Sequence, residues 1–76
     1  MISKIASLLK SNQRLERTRR FFGVSPTNPD EAILTAALET VLVWPALVRA
    51  TAGRLNEEKL LELLKRFYDR KLIDFD

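Results

Sequence analysis

Cysteine and histidine are both absent from this chain. Without cysteine there is no disulfide framework, no thiolate metal site and no thiol nucleophile. Without histidine the commonest general base and the commonest metal ligand are missing. Only two glycines occur, Gly23 and Gly53, and they are isolated, so no glycine-rich loop can cradle a phosphate through its backbone. Together with only three prolines they are also too few for the many tight turns of an all-β fold. A nucleophile–base pair would have to come from Ser or Thr with Lys or a carboxylate, and Glu57–Glu58 is explained by a helix N-terminus rather than by acid chemistry. Catalytic residues, cofactors and metal ligands are therefore expected to be none, and the chain is read as not an enzyme.

Long apolar runs are also lacking. The stretch 32–48 is the nearest approach, yet it contains Glu39 and Pro45, and lengthening it to a full span brings in Arg49. Each such charge costs about 2.5–3.5 kcal/mol at the centre of a spanning helix, whereas each large aliphatic returns only about 0.3–0.6 kcal/mol. A buried core helix is expected there instead of a membrane span. No stretch reads as a secretory signal, although residues 1–23 have the Arg- and Ser-containing, acid-poor character of a transit segment. A cytoplasmic protein is the expectation.

What is present favours helix. Leu, Ala, Glu, Lys and Arg are abundant, and 76 residues make a single domain. A chain of this size buries only about 60% of the surface its unfolded form exposes. With no disulfide or metal available, self-association is the remaining supplement.

Three helices are predicted, at about residues 3–21, 29–52 and 57–70, in a small all-α bundle. The last has Asn56 as N-cap, acids Glu57 and Glu58 in its first turn, and Leu55 and Leu60 at the positions of a hydrophobic staple. Leu60, Leu61, Leu63, Leu64, Phe67 and Tyr68 then share one face. Lys71 would fall in the middle of that face, so the regular helix should end near Arg70. Leu72, Ile73 and Phe75 form a short tail that can pack. The middle helix begins Asn28-Pro29-Asp30-Glu31, with an N-cap, proline at the first position and a capping-box glutamate. Gly53 stops it, and Pro45 kinks or breaks it near Trp44. The first helix runs from a cap at Ser3 to a stop at Gly23, with Ile2, Ile5, Leu8, Leu9, Leu15 and Phe22 as its apolar arc. That arc is clean only in its first half, because Asn12, Glu16 and Arg19 project onto the same side.

The segment 50–64, ATAGRLNEEKLLELL, resembles the helix–turn–helix segment of tellurite-resistance TerB-like domains, in which a small-Asp-Gly turn precedes a capped acidic helix. The likeness covers only this short segment, and Ala52 stands where that family has an acid, so no metal role and no family membership are drawn from it. Glycine C-capping beside an Asn N-cap produces the same pattern. A DNA-reading helix at 57–70 is disfavoured because Glu57 and Glu58 would face phosphates.

Charge is unevenly spread. Residues 1–23 carry a net +5, residues 24–53 a net −2, and residues 54–76 balance. Lys10, Arg14 and Arg17 make one helical stripe, with Arg20 beside it, while Arg19 sits on the apolar side. Lys10, Arg14, Leu15, Arg17, Arg19, Arg20 and Phe22 are the candidates for contact with a partner protein or with nucleic acid. The middle helix is apolar almost all round, so Val41, Leu42, Val43, Trp44, Leu47 and Val48 exceed what two neighbouring helices can cover. Val41, Leu42, Trp44, Leu47 and Val48 are the candidates for an oligomer interface. The expected function is a non-catalytic helical protein–protein interaction module, a self-associating regulator, adaptor or assembly factor. The alternative is a nucleic-acid-binding accessory protein that uses the basic first helix.

Overall fold

The computed structural model describes residues 4–10 and 14–75, with the side chains of Lys4, Ile5 and Lys10 left aside. The expected cap at Ser3, the positions of Ile2 and Asn12, and the Lys10 side chain lie outside the described residues. In chain order the elements are α1 (Lys4–Lys10), β1 (Leu15–Arg17), a 3₁₀ helix (Arg19–Gly23), α2 (Pro29–Leu38), α3 (Trp44–Thr51), α4 (Glu57–Asp69) and β2 (Ile73–Phe75). The protein is mostly helical, with a two-stranded antiparallel sheet formed by β1 and β2. Among the described residues, four α-helices and this ribbon take the place of the expected three helices.

The largest departure is in the first predicted helix, which ends at Lys10 rather than near residue 21. A helix continued through residue 21 would bury Glu16 and Arg19 on the side of the apolar arc. Residues Leu15–Arg17 instead run extended, where alternate side chains face opposite ways. Leu15 then points into the core, 1% exposed, while Glu16 is exposed. β1 pairs Leu15 with Phe75, Glu16 with Asp74 and Arg17 with Ile73. On its other edge the Leu15 N–H donates to the Leu42 carbonyl at 2.7 Å. The apolar tail after α4 is thus the second strand, with Leu72 and Ile73 buried.

The middle helix is broken, and the break precedes Trp44. α2 ends at Leu38, residues 39–43 form the connection, and α3 restarts with Pro45 in its first turn. There the missing proline N–H removes no intrahelical bond. The break lets both halves turn the same way, so that Leu34, Leu38 and Leu47 are all fully buried. Gly53 has φ 84, the left-handed conformation expected of it, in the turn that leads to α4.

α4 is the helix its sequence describes. Asn56 Oδ1 accepts the Lys59 N–H at 2.7 Å, and Leu55, Leu60, Leu63, Leu64 and Phe67 are buried. Its end is a Schellman motif: the Lys71 N–H donates to the Tyr68 carbonyl at 3.0 Å, and the Leu72 N–H reaches back to Phe67 at 2.9 Å. Lys71 occupies the left-handed position at φ 60, which costs a residue with a Cβ about 1 kcal/mol and is usually left to glycine. Leu9, Leu15, Phe21, Leu34, Leu38, Leu47, the α4 face, Leu72 and Ile73 form one core cluster, to which every element contributes.

One buried carboxylate closes the shell. Glu31 is 6% exposed at the start of α2. Its own N–H is capped by Asn28 Oδ1 at 2.9 Å, and its carboxylate accepts from Thr27 Oγ1 at 2.9 Å and Asn28 Nδ2 at 3.3 Å. Arg70, at the far end of α4, donates to the other oxygen at 3.3 Å. The Thr27 hydroxyl is the main influence holding the Glu31 carboxyl below its ordinary value of 4.5; Arg70 adds to it, and desolvation opposes both. Because the folded value is depressed, this stabilisation is present above the unfolded value and is lost as pH falls through the folded one. Urea midpoints measured from pH 7 downward should therefore fall below about pH 4.5. The Glu31→Gln variant should be less stable at neutral pH and should lose less than the parent chain over the same acid range.

Candidate functional site

The candidate residues of the N-terminal segment do not share a helical face, because they are divided among α1, β1 and the 3₁₀ helix, with Arg14 before β1. The stripe of Lys10, Arg14 and Arg17 requires a helix that ends at Lys10, so that geometry is not formed. Leu15 is a core residue, and its expected role as a surface anchor is replaced by a role in folding. Arg17 turns back on the chain. Its Nη1 donates to the Glu39 carbonyl at 2.8 Å, at the end of α2, and its guanidinium carbon lies 5.7 Å from the centre of the Phe22 ring. Phe22 also meets Phe21 edge-on, with ring centres 5.6 Å apart. Phe21 is buried, but Phe22 is 72% exposed.

Of the middle-helix candidates, Leu47 is wholly buried and presents no surface, which corrects its expected place in an interface. The chain bends at 39–43, and that bend folds Leu47 inward. Val41, Leu42, Trp44 and Val48 are half-buried and pack against the core, and Val43 remains 40% exposed. Most of the apolar surplus is absorbed within the chain.

What remains outside is gathered in one place. A groove of about 310 Å³ is lined by Arg14, Leu15, Glu16, Arg17, Phe22 and Leu42. A second, of about 330 Å³, is lined by Arg14, Thr40, Val41, Leu42, Val43 and Ala46. The two share Arg14 and Leu42. They form a continuous surface from Phe22 to Val43, because the Leu15–Leu42 hydrogen bond sets β1 beside the α2–α3 connection. Residues that the sequence placed in two separate groups, one basic and one apolar, are therefore neighbours. Arg14 and Glu16 make no ion pair among the described residues.

A third and larger cleft, about 610 Å³, lies on the other part of the ribbon and shares no residue with these grooves. It is lined by Thr18, Arg19 and Arg20 from the start of the 3₁₀ helix, and by Tyr68, Asp69, Lys71, Ile73 and Asp74 from the end of α4 and β2. Sequence reasoning missed all of these except Arg19 and Arg20. Residues 18–20 and 68–74 are brought together only by strand pairing across most of the chain. The one local signal was Lys71, a charge falling on the apolar face where the helix must end. Among the described residues no group of three or more His, Cys, Asp or Glu converges as metal ligands would. None of the helices among them is long and apolar enough to cross a membrane.

No protein-family model, curated protein or solved structure matches the chain. The short likeness of residues 50–64 to TerB-like domains thus stays local, and the helix cap and turn there account for it.

The two N-terminal apolar residues should separate cleanly by mutation. Leu15→Ala should cost about 2–5 kcal/mol in urea unfolding, as expected for a wholly buried leucine. Phe22→Ala should stay within roughly 0.5–1 kcal/mol of the parent chain, the value of an exposed cation–π contact.

Proposed function

We propose that this chain is a non-catalytic protein–protein interaction module that self-associates through the surface running from Phe22 to Val43, and that it serves as a small regulator, adaptor or assembly factor. The observation that carries the reading is Phe22: a large aromatic left 72% exposed, yet held in position by Arg17 and Phe21. A side chain ordered before binding loses little freedom on binding, and aromatics and arginines dominate the energetics of protein interfaces.

The charges on this surface favour a second copy as the partner. Arg14, Glu16 and Arg17 line the same groove, so a two-fold axis through it sets Glu16 of one copy against a basic side chain of the other. The apolar floor of Leu42, Val41 and Val43 supplies area that desolvates on contact. A 76-residue chain gains stability from such burial that its own core does not provide. The nucleic-acid alternative rested on a basic helical stripe, and with α1 ending at Lys10 that stripe has no helix to carry it.

Sedimentation equilibrium of the intact chain tests the proposal. A concentration-dependent shift from 8.8 kDa to twice that mass is expected, with Phe22→Ala/Val43→Ser weakening association about tenfold or more and leaving helicity unchanged. A single 8.8 kDa species at every concentration, or a double variant that associates as well as the parent, overturns it.

A further inference from the structure

The cleft between the 3₁₀ helix and the end of α4 carries more positive charge than the fold uses. Arg19, Arg20 and Lys71 line it, all three are exposed, and none enters an ion pair among the described residues. Two acids also line it, and of these Asp69 is ion-paired with Lys65 at 3.2 Å while Asp74 Oδ1 accepts the Phe75 backbone N–H at 2.8 Å. The fold also holds the cations in place. The Thr18 N–H donates to the Leu72 carbonyl at 3.1 Å, and the Thr18 hydroxyl reaches the Lys71 and Leu72 carbonyls at 2.7 and 3.0 Å. These bonds tie the segment bearing Arg19 and Arg20 to the turn bearing Lys71.

Lys71 is the independent observation. It occupies the left-handed position of the Schellman turn, where glycine fits without strain, and its side chain enters no ion pair among the described residues. A residue that keeps its side chain at a strained position, lining a cleft and outside any ion pair, leaves its charge available to what the cleft receives.

We infer that this cleft is a binding site for a small phosphorylated molecule, with its phosphate between Arg19, Arg20 and Lys71. Guanidinium groups match phosphate oxygens in pairs, and an ammonium adds a third point of charge. The size of about 610 Å³ lies in the range of small-molecule sites. Asp69 and Asp74, which also line the cleft, oppose a long polyanion lying across it, yet can accept from hydroxyl groups of a compact ligand. The half-buried Tyr68 supplies the apolar surface against which a sugar-sized body rests. The site stands apart from the surface proposed for self-association and does not depend on it.

The experiment is an amide-resolved NMR titration of the full chain at low salt, with inorganic phosphate, ribose 5-phosphate, unphosphorylated ribose and a short DNA duplex as probes. The expected result is saturable shifts confined to residues 18–20 and 68–74, with ribose 5-phosphate binding at least about tenfold tighter than ribose. Lys71→Gly should weaken that binding about threefold to tenfold while holding or raising the urea midpoint, because glycine relieves the left-handed strain. Arg19→Gln/Arg20→Gln should weaken it further with helicity unchanged. The inference is overturned if the phosphates shift nothing, or if Arg14 responds as strongly as Arg19, which marks diffuse counter-ion screening. It is equally overturned if Lys71→Gly binds like the parent chain, or if the duplex binds more tightly than ribose 5-phosphate, which assigns the cations to nucleic acid.

Discussion

The pairing of Leu15–Arg17 with Ile73–Phe75 is the constraint on which the surface of this protein depends. It is only three residues long on each side, and an isolated ribbon of that size has no stability of its own in water. It persists because Leu15, Leu72 and Ile73 are driven into the core that α4 organises, and the hydrogen bonds follow the burial. Both edges of β1 are used. One faces β2, and the other takes the Leu42 carbonyl, so a single short strand locates the N-terminal segment against both the end of the chain and the α2–α3 connection. The two grooves and the basic cleft all follow from that placement.

Polar groups complete what the apolar core begins. Glu31 and Thr51 are the buried polar or charged residues described, and each is satisfied: Thr51 donates to the Leu47 carbonyl at 2.8 Å, and Glu31 has three side-chain partners. The Glu31–Arg70 contact joins the start of α2 to the end of α4, the same helix end from which the Lys71 turn leads into β2. By contrast, Lys59–Asp30, Lys65–Asp69 and Arg66–Glu62 are exposed pairs, of the kind that contributes little to stability. Among the described residues, Arg14, Arg19, Arg20 and Lys71 enter no ion pair and line the grooves and the cleft, where charge is available for a ligand or a second chain, whereas Arg49 and Arg54, also without an ion pair, lie outside them.

Much of the helical part was legible in the sequence. Asn28 and Asn56 cap where their spacing places them, Gly53 takes a positive φ, and α4 ends at Asp69, before Lys71 can enter its apolar face. Each of these is a local rule, decided within a few residues by backbone hydrogen bonds and steric limits. The first segment misled because a helical period was assumed beyond the point at which it failed. Glu16 and Arg19 on the apolar arc were the sign, and alternation around Leu15 was too short to read as a strand. The apolar surplus of the middle helix was real as composition, but the break at 39–43 folds most of it inward and leaves Phe22 and Val43 as the large apolar side chains most exposed among the described residues.

By itself, then, the sequence determined the caps, the stops and the burying face of α4, and it excluded thiol and imidazole chemistry by composition. Tertiary structure alone decided that Leu15–Arg17 would be a strand, that Leu47 would be core, and that Arg19, Arg20 and Lys71 would line one cleft. The reason is separation along the chain. Caps and turns are settled by neighbours a few residues apart, whereas β1 and β2 meet across more than fifty residues, and only burial of a shared core favours that meeting enough to form it.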